Sequence, residues 1–182
     1  TDSRGNGPAA FFATDAERTA FRERHQRPDW VRASYPPGST VPVWIGIDAG
    51  STTTKLALLS DEGTLLDSAY SHNEGDPLRT GARLLAEVLE RYDGEGVTLD
   101  IRGLGTTGYG ERMFATAFHA DYHTVETVAH AHAALREAPT AGFVLDIGGQ
   151  DMKAITVNDG IVTGITLNEA CSAGCGSFLE NF

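Results

Sequence analysis

The chain has 182 residues, 41% of them apolar, with 21 glycines, a formal charge of −11 and a pI near 4.8. A surface this acidic repels phosphates, which argues against a nucleic-acid or anionic-membrane partner, and no run approaches the roughly 18 apolar residues of a spanning helix. Two cysteines, Cys171 and Cys175, are too few for a disulfide scaffold; with no signal-peptide pattern at the N-terminus, the expected location is a reducing cytoplasm.

Residues 1–13 mix Gly, Pro, Asn and Ala without periodicity and are read as irregular. Thr14 followed by Glu17 fits a capping box, so a short charged helix is expected from there to about Arg27. Pro28, Pro36, Pro37 and Gly38 mark an extended linker, and the folded unit is expected to begin near Val41. Strands are predicted at Val43–Asp48, Lys55–Ser60 and Thr64–Ser71, then a helix over Pro77–Tyr92 with Leu78, Leu85, Val88 and Leu89 on one face. A strand at Val97–Leu104 runs into the glycine-rich stretch Gly103–Gly110, followed by a short helix to Phe118 and another over Glu126–Glu137. After Pro139 the pattern restarts, with strands at Gly142–Asp146, Met152–Val157 and Ile161–Leu167 and an apolar helix opening at Phe178. The order βββαβαβα followed by βββ predicts an α/β fold: a mixed sheet over residues 41–139, preceded by a linker region (1–40) and followed by the start of a duplicate (140–182). The chain begins with Thr and stops as a helix begins, so it is read as a piece of a longer polypeptide.

The duplication has a chemical signature. Among fourteen lysines and arginines only Lys55 and Lys153 are lysines, and each closes the same pattern. The copies are Asp48-Ala49-Gly50-Ser51-Thr52-Thr53-Thr54-Lys55 and Asp146-Ile147-Gly148-Gly149-Gln150-Asp151-Met152-Lys153, 98 residues apart at both ends. A compact, flexible ammonium rather than a planar fork is selected at both places. Each copy reads as strand, Gly-bearing turn, strand. Small residues let several backbone N–H groups turn inward together on a phosphate. Gly50, Ser51, Thr52 and Thr53, and likewise Gly148, Gly149 and Gln150, are candidates for that role, with Lys55 and Lys153 supplying charge. Asp48 and Asp146 stand at strand ends where each could reach Mg²⁺ directly or through its water, and either could orient a hydrolytic water. The pattern is neither a P-loop nor a Rossmann fingerprint. The plainer alternative for either copy alone is an ordinary hairpin turn.

The segments Trp44–Ala57 and Val144–Lys153 resemble the two phosphate motifs of the actin, heat-shock chaperone and sugar-kinase superfamily, with its ribonuclease-H-like mixed sheet. More narrowly, they resemble the ATP-dependent activators of 2-hydroxyacyl-CoA dehydratases and benzoyl-CoA reductases. Thr107–Gly110, Glu126–His130 and Asn168–Phe178 are similar to further segments of that family; Glu111 departs from it, standing where many activators carry arginine. The resemblance implies that residues 41–139 are a first ATPase subdomain and residues 140–182 the opening of a second. It implies ATP and Mg²⁺ between the two hairpins. It also implies a [4Fe-4S] cluster shared across a homodimer, or with a second module of the same chain. An acyl-CoA dehydratase or reductase would be the partner, and ferredoxin or flavodoxin the electron donor.

Cys171 and Cys175 lie in a small-residue loop before the apolar helix. A cubane cluster needs four thiolates, so two chains would have to share it, and idle thiols are the alternative. The resemblance implies Cys171 as a ligand and leaves Cys175 open, the family's second ligand lying farther downstream. His119, His123, His130 and His132 complete no metal spacing and are expected at solvent or an interface, and Glu126 with His130 reads as an i,i+4 helix pair. The function expected is an ATP-hydrolysing electron-transfer activator, poorly active as this segment alone. A small-molecule kinase and a non-catalytic docking module are the competing classes.

Overall fold

The computed structural model describes residues 11–26, 29–148 and 151–168. The chain divides into two units, Thr1–Arg32 and Ala33–Phe182. The first holds α1 (Asp15–Arg24), capped where Thr14 Oγ1 accepts from the Glu17 N–H at 3.2 Å. Glu17 reaches back in turn to accept from the Ala13 N–H at 2.8 Å, so two of the helix-start donors are satisfied reciprocally. No α1 side chain is buried, and Phe21 packs beside Phe12 and His25.

The second unit is built on a five-stranded mixed sheet of order β3-β2-β1-β4-β5. Its strands are β1 (Thr40–Ala49), β2 (Thr53–Leu59), β3 (Leu65–His72), β4 (Thr98–Thr107) and β5 (Tyr122–His123). The first three form an antiparallel meander, while β4 lies parallel to β1 and β5 parallel to β4. Alternation along β1 turns Val41, Val43, Ile45, Ile47 and Ala49 to one face. There they meet Leu56 and Leu58 of β2, Val88 and Tyr92 of α2 (Pro77–Gly94) and Phe114 of α3 (Glu111–Phe118). Each such side chain contributes about 1.5–3 kcal/mol on burial, enough to define which face is covered. Asp76 caps α2 by accepting from the Arg79 N–H at 3.0 Å, and Pro77 occupies the first turn, where its missing N–H costs nothing. Ala33 also belongs to this unit: its N–H donates to Leu66 O, and Ala33 and Tyr35 pack on the core.

The glycine-rich stretch differs from its expected form. It continues β4 as far as Thr107, because the parallel ladder with β1 runs to Asp48↔Thr107. Gly103 is flattened against the Trp44 ring, where an added Cβ would come within 2.8 Å. Only Gly108, at φ +90°, begins the turn.

A second sheet, antiparallel and of order β6-β7-β8, contains β6 (Phe143–Ile147), β7 (Met152–Asn158) and β8 (Ile161–Asn168). Its small core is Ile155 and Val157 with Ala131 of α4 (Glu126–Glu137), supported by Leu135 and Val144. Helix α4 also reaches the first sheet, where Arg136 donates to Glu62 O at 2.8 Å in the β2–β3 turn. The sheets are linked to one another by this helix. The apolar helix expected at Phe178–Phe182 lies outside the described residues.

Candidate nucleotide-phosphate site

The two hairpins repeat each other in register. Asp48 pairs with Lys55 across β1 and β2, and Asp146 with Lys153 across β6 and β7, with four residues beyond the last paired rung of each hairpin, Ala49↔Thr54 and Ile147↔Met152. Both turns are tight at the glycine that follows the strand. A Cβ on Gly50 would lie 2.9 Å from Thr53 O, and one on Gly148 would lie 3.2 Å from Asp151 Oδ1.

They open onto one small cleft of about 150 Å³, lined by Asp48, Gly50, Ser51, Thr52, Thr53 and Lys55 from the first copy. Asp146, Gly148, Asp151 and Lys153 line it from the second, with Tyr109, Glu126 and His130 between. This space is below the roughly 300–1,000 Å³ of a whole-ligand pocket and suits a few phosphate groups. Gly149, Gln150, Cys171 and Cys175 lie outside the described residues. A larger hollow of 530 Å³ beside the first sheet is lined mainly by apolar groups such as Leu56, Ala57 and Tyr70, and offers little to a phosphate chain.

The first turn is held from below. Asn73, buried at the end of β3, accepts from Thr54 Oγ1 at 2.7 Å and donates Nδ2–H to Gly50 O at 2.8 Å. Its own N–H donates to Thr52 O at 2.9 Å. Three hydrogen bonds from one residue fix the backbone of a hydroxyl-rich loop whose Ser51 and Thr52 are exposed. The β4–α3 turn braces the same loop from the side. Gly110 N–H donates to Ala49 O at 3.0 Å, and a Cβ on Gly108 would strike Asp48 Oδ1 at 2.5 Å. The Thr107–Gly110 motif thus has a mechanical part in placing Asp48.

The two lysines have different surroundings. Lys55 is half exposed and donates to Asp48 Oδ2 at 2.9 Å, which leaves donors available to a ligand. Lys153 is 5% exposed and is held by Glu126, by Asp151 at 2.8 Å and, more distantly, by Asp146 Oδ2 at 3.8 Å. Burial works against its charge, but the hydrogen bonds and charges of Asp151 and Glu126 outweigh that and raise its pKa above the usual 10.5. His130 Nδ1 lies 2.7 Å from Asp146 Oδ2. The i,i+4 pair expected between Glu126 and His130 is therefore replaced by two outward contacts, one to each end of the Asp146–Lys153 rung. Sequence reasoning missed this role, and it missed Asn73. The spacing of Glu126 and His130 on one helix face was the available signal.

Four carboxylates, Asp48, Glu126, Asp146 and Asp151, face two ammonium groups around the cleft. A triphosphate would add to that negative excess, which a divalent cation bound with it would offset. Carboxylate oxygens suit Mg²⁺, which is held by one or two of them together with phosphates and water rather than by a full protein cage.

A ribonuclease-H-like sheet carrying paired Asp-x-Gly turns defines a nucleotide-phosphate-binding class, and within it the chain belongs to the BadF/BadG/BcrA/BcrD ATPase family, whose profile matches residues 45–182. It is 35% identical over 139 residues to the (R)-2-hydroxyglutaryl-CoA dehydratase activating ATPase of Acidaminococcus fermentans, over 75% of this chain and 50% of that protein. The crystal structure of component A of that organism's (R)-2-hydroxyglutaryl-CoA dehydratase matches with a TM-score of 0.62 at 33% identity, covering 76% of this chain and 51% of the other. The activator of the 2-hydroxyisocaproyl-CoA dehydratase from Clostridium difficile, solved with bound ADPNP, matches with a TM-score of 0.62 at 27% identity, over 76% and 50%. The chain spans about half the length of these relatives. Among the described residues no helix is long and apolar enough to cross a membrane.

Proposed function

We propose that this chain is the phosphate-gripping part of an ATP-hydrolysing activator that drives low-potential electron transfer into an acyl-CoA dehydratase or reductase. The observation that carries the reading is the single cleft lined by both aspartate turns, Asp48 and Asp146 each at the same rung of a repeated hairpin. In this reading Gly50, Ser51, Thr52 and Thr53 donate to the phosphates and Lys55 neutralises their charge. Asp48 holds Mg²⁺ directly or through water, and Asp146 orients the attacking water. Gly148 would donate to the terminal phosphate from the other side of the cleft, Gly149 and Gln150 are assigned the same role from the sequence pattern alone, and Lys153 holds Asp151 beside them in the chain.

The redox half of the proposal rests on Cys171, with Cys175 as the other candidate thiolate. A cubane needs four thiolates, so Cys171 with one further thiolate, Cys175 or a cysteine farther downstream, would give half the set and a second copy or module the rest; the bound cluster would carry one electron at low potential. Ferredoxin or flavodoxin is the proposed donor, and the cytoplasm the proposed location.

The test is calorimetric titration of the full-length protein with ATP, with Mg²⁺ and with the metal chelated, alongside iron analysis of anaerobically purified protein. Binding that requires Mg²⁺, together with iron at about four per dimer, is the expected result. Absence of nucleotide binding would overturn the ATPase reading, and iron-free protein that still activates its dehydratase would overturn the redox reading.

A further inference from the structure

Resting on the reading of Asp146 as the residue that aligns water, we infer that His130 is its positioning residue: the imidazole Nδ1–H pins one carboxylate oxygen of Asp146 so that the other is held toward the phosphate cleft as a water acceptor. A carboxylate can only accept, so at 2.7 Å the imidazole nitrogen Nδ1 carries the proton of this hydrogen bond. The Lys153 ammonium, 3.8 Å away, lies on the same oxygen, Oδ2. Oδ1 takes no hydrogen bond from the described residues, and the Asp146 side chain, 14% exposed, lines the cleft. One oxygen is anchored, and the inference assigns the other to the cleft that Asp146 lines.

The anchoring has a physical reason. The terminal torsion of an aspartate is broad, so a carboxylate without directional partners samples many orientations. A single strong donor removes that freedom, and a water aligned to within a fraction of an ångström is what in-line attack requires. Helix α4 is suited to deliver that donor. Ala131, the next residue along, is packed in the core of the second sheet, and Glu126, one turn earlier, holds Lys153. The first hairpin lacks the arrangement: Asp48 is met by the flexible Lys55 ammonium. An aspartate held by a mobile point charge suits a metal ligand, whereas one held by a helix-mounted imidazole suits a fixed acceptor.

The test uses the full-length protein with His130→Ala, His130→Asn and His130→Gln. An asparagine amide N–H can fall where Nδ1 stands, whereas a glutamine amide falls nearer Nε2. His130→Ala should lower kcat for ATP hydrolysis roughly 10- to 100-fold with KM nearly unchanged; His130→Asn should recover most of the loss, and His130→Gln little of it. An unchanged kcat in His130→Ala overturns the inference. Rescue by glutamine and not asparagine also overturns it, by making Nε2 the functional atom. A long-range ¹H–¹⁵N spectrum of the wild type gives a second readout independent of turnover: the Nδ1–H tautomer is expected, reverting in Asp146→Ala, and an Nε2–H tautomer in the wild type would refute the contact. A wild type without ATPase activity would sink the activator reading, and the tautomer would still decide this contact.

Discussion

In the first hairpin Lys55 stands half in solvent with Asp48 as its partner, whereas in the second Lys153 is enclosed by Glu126, Asp151 and Asp146. The backbone registers are the same, down to the rung on which Asp faces Lys. The repeat keeps the geometry while the surroundings differ, and on the proposed reading that difference gives equivalent residues different work. The open copy, with its hydroxyl-rich turn pinned by Asn73, can reorganise its ammonium around an incoming phosphate. In the closed copy the ammonium is already held by three protein carboxylates, and on the proposed reading Asp146 is the group left to act on the ligand.

The comparison breaks most sharply at the aspartates. Asp146→Asn should reduce kcat about 10²- to 10⁴-fold while nucleotide affinity holds, as read by phosphate release and calorimetry. Asp48→Asn should instead weaken the Mg²⁺ dependence of binding. Equal phenotypes would erase the proposed division.

Next in size is the lysine pair. Lys153→Met leaves three carboxylates without their cation and should cost roughly 1–3 kcal/mol in denaturant unfolding, less than a fully buried pair because Glu126 and Asp151 are about a third exposed. Lys55→Met should leave stability within about 1 kcal/mol and weaken ATP binding about tenfold. Reversal of those two outcomes would mean that the wrong hairpin had been taken as the gripping one.

Asn73→Ala removes the two side-chain pins of the first turn, to Thr54 and Gly50, and leaves the backbone bond to Thr52 in place. It should cost about 1–3 kcal/mol through unsatisfied buried groups and lower ATP affinity without touching the Asp146–His130 contact, checked by unfolding and by the histidine spectrum.

The smallest effect is the pH dependence of the Lys153 cluster. Because the folded pKa of Lys153 lies above 10.5, its contribution to stability is fully present below that value and is lost as pH rises through the folded pKa. Wild type should therefore lose more stability than Lys153→Met across that alkaline window, in parallel thermal melts.

Much of this was legible in the chain alone. Alternation along Thr40–Ala49 and the Gly-led turns mark strands and hairpins because these are short-range properties, and the repeated Asp-to-Lys spacing across a four-residue turn almost dictates the register in which the two face each other. The extent of β4 was not legible, since glycines read as loop until a neighbouring strand pairs with them. Nor could the local pattern distinguish Lys55 from Lys153, whose hairpins look alike in sequence.

What the residues determined by themselves, then, is the duplicated acidic hairpin, the order of its strands and the pairing of charge across each one. What only the tertiary structure decided is how each copy is used. Asn73 reaches Thr54 across 19 residues, His130 reaches Asp146 across 16, and Glu126 reaches Lys153 across 27. Contacts of that separation depend on where whole helices and strands come to rest on a sheet, and no spacing within a turn encodes it.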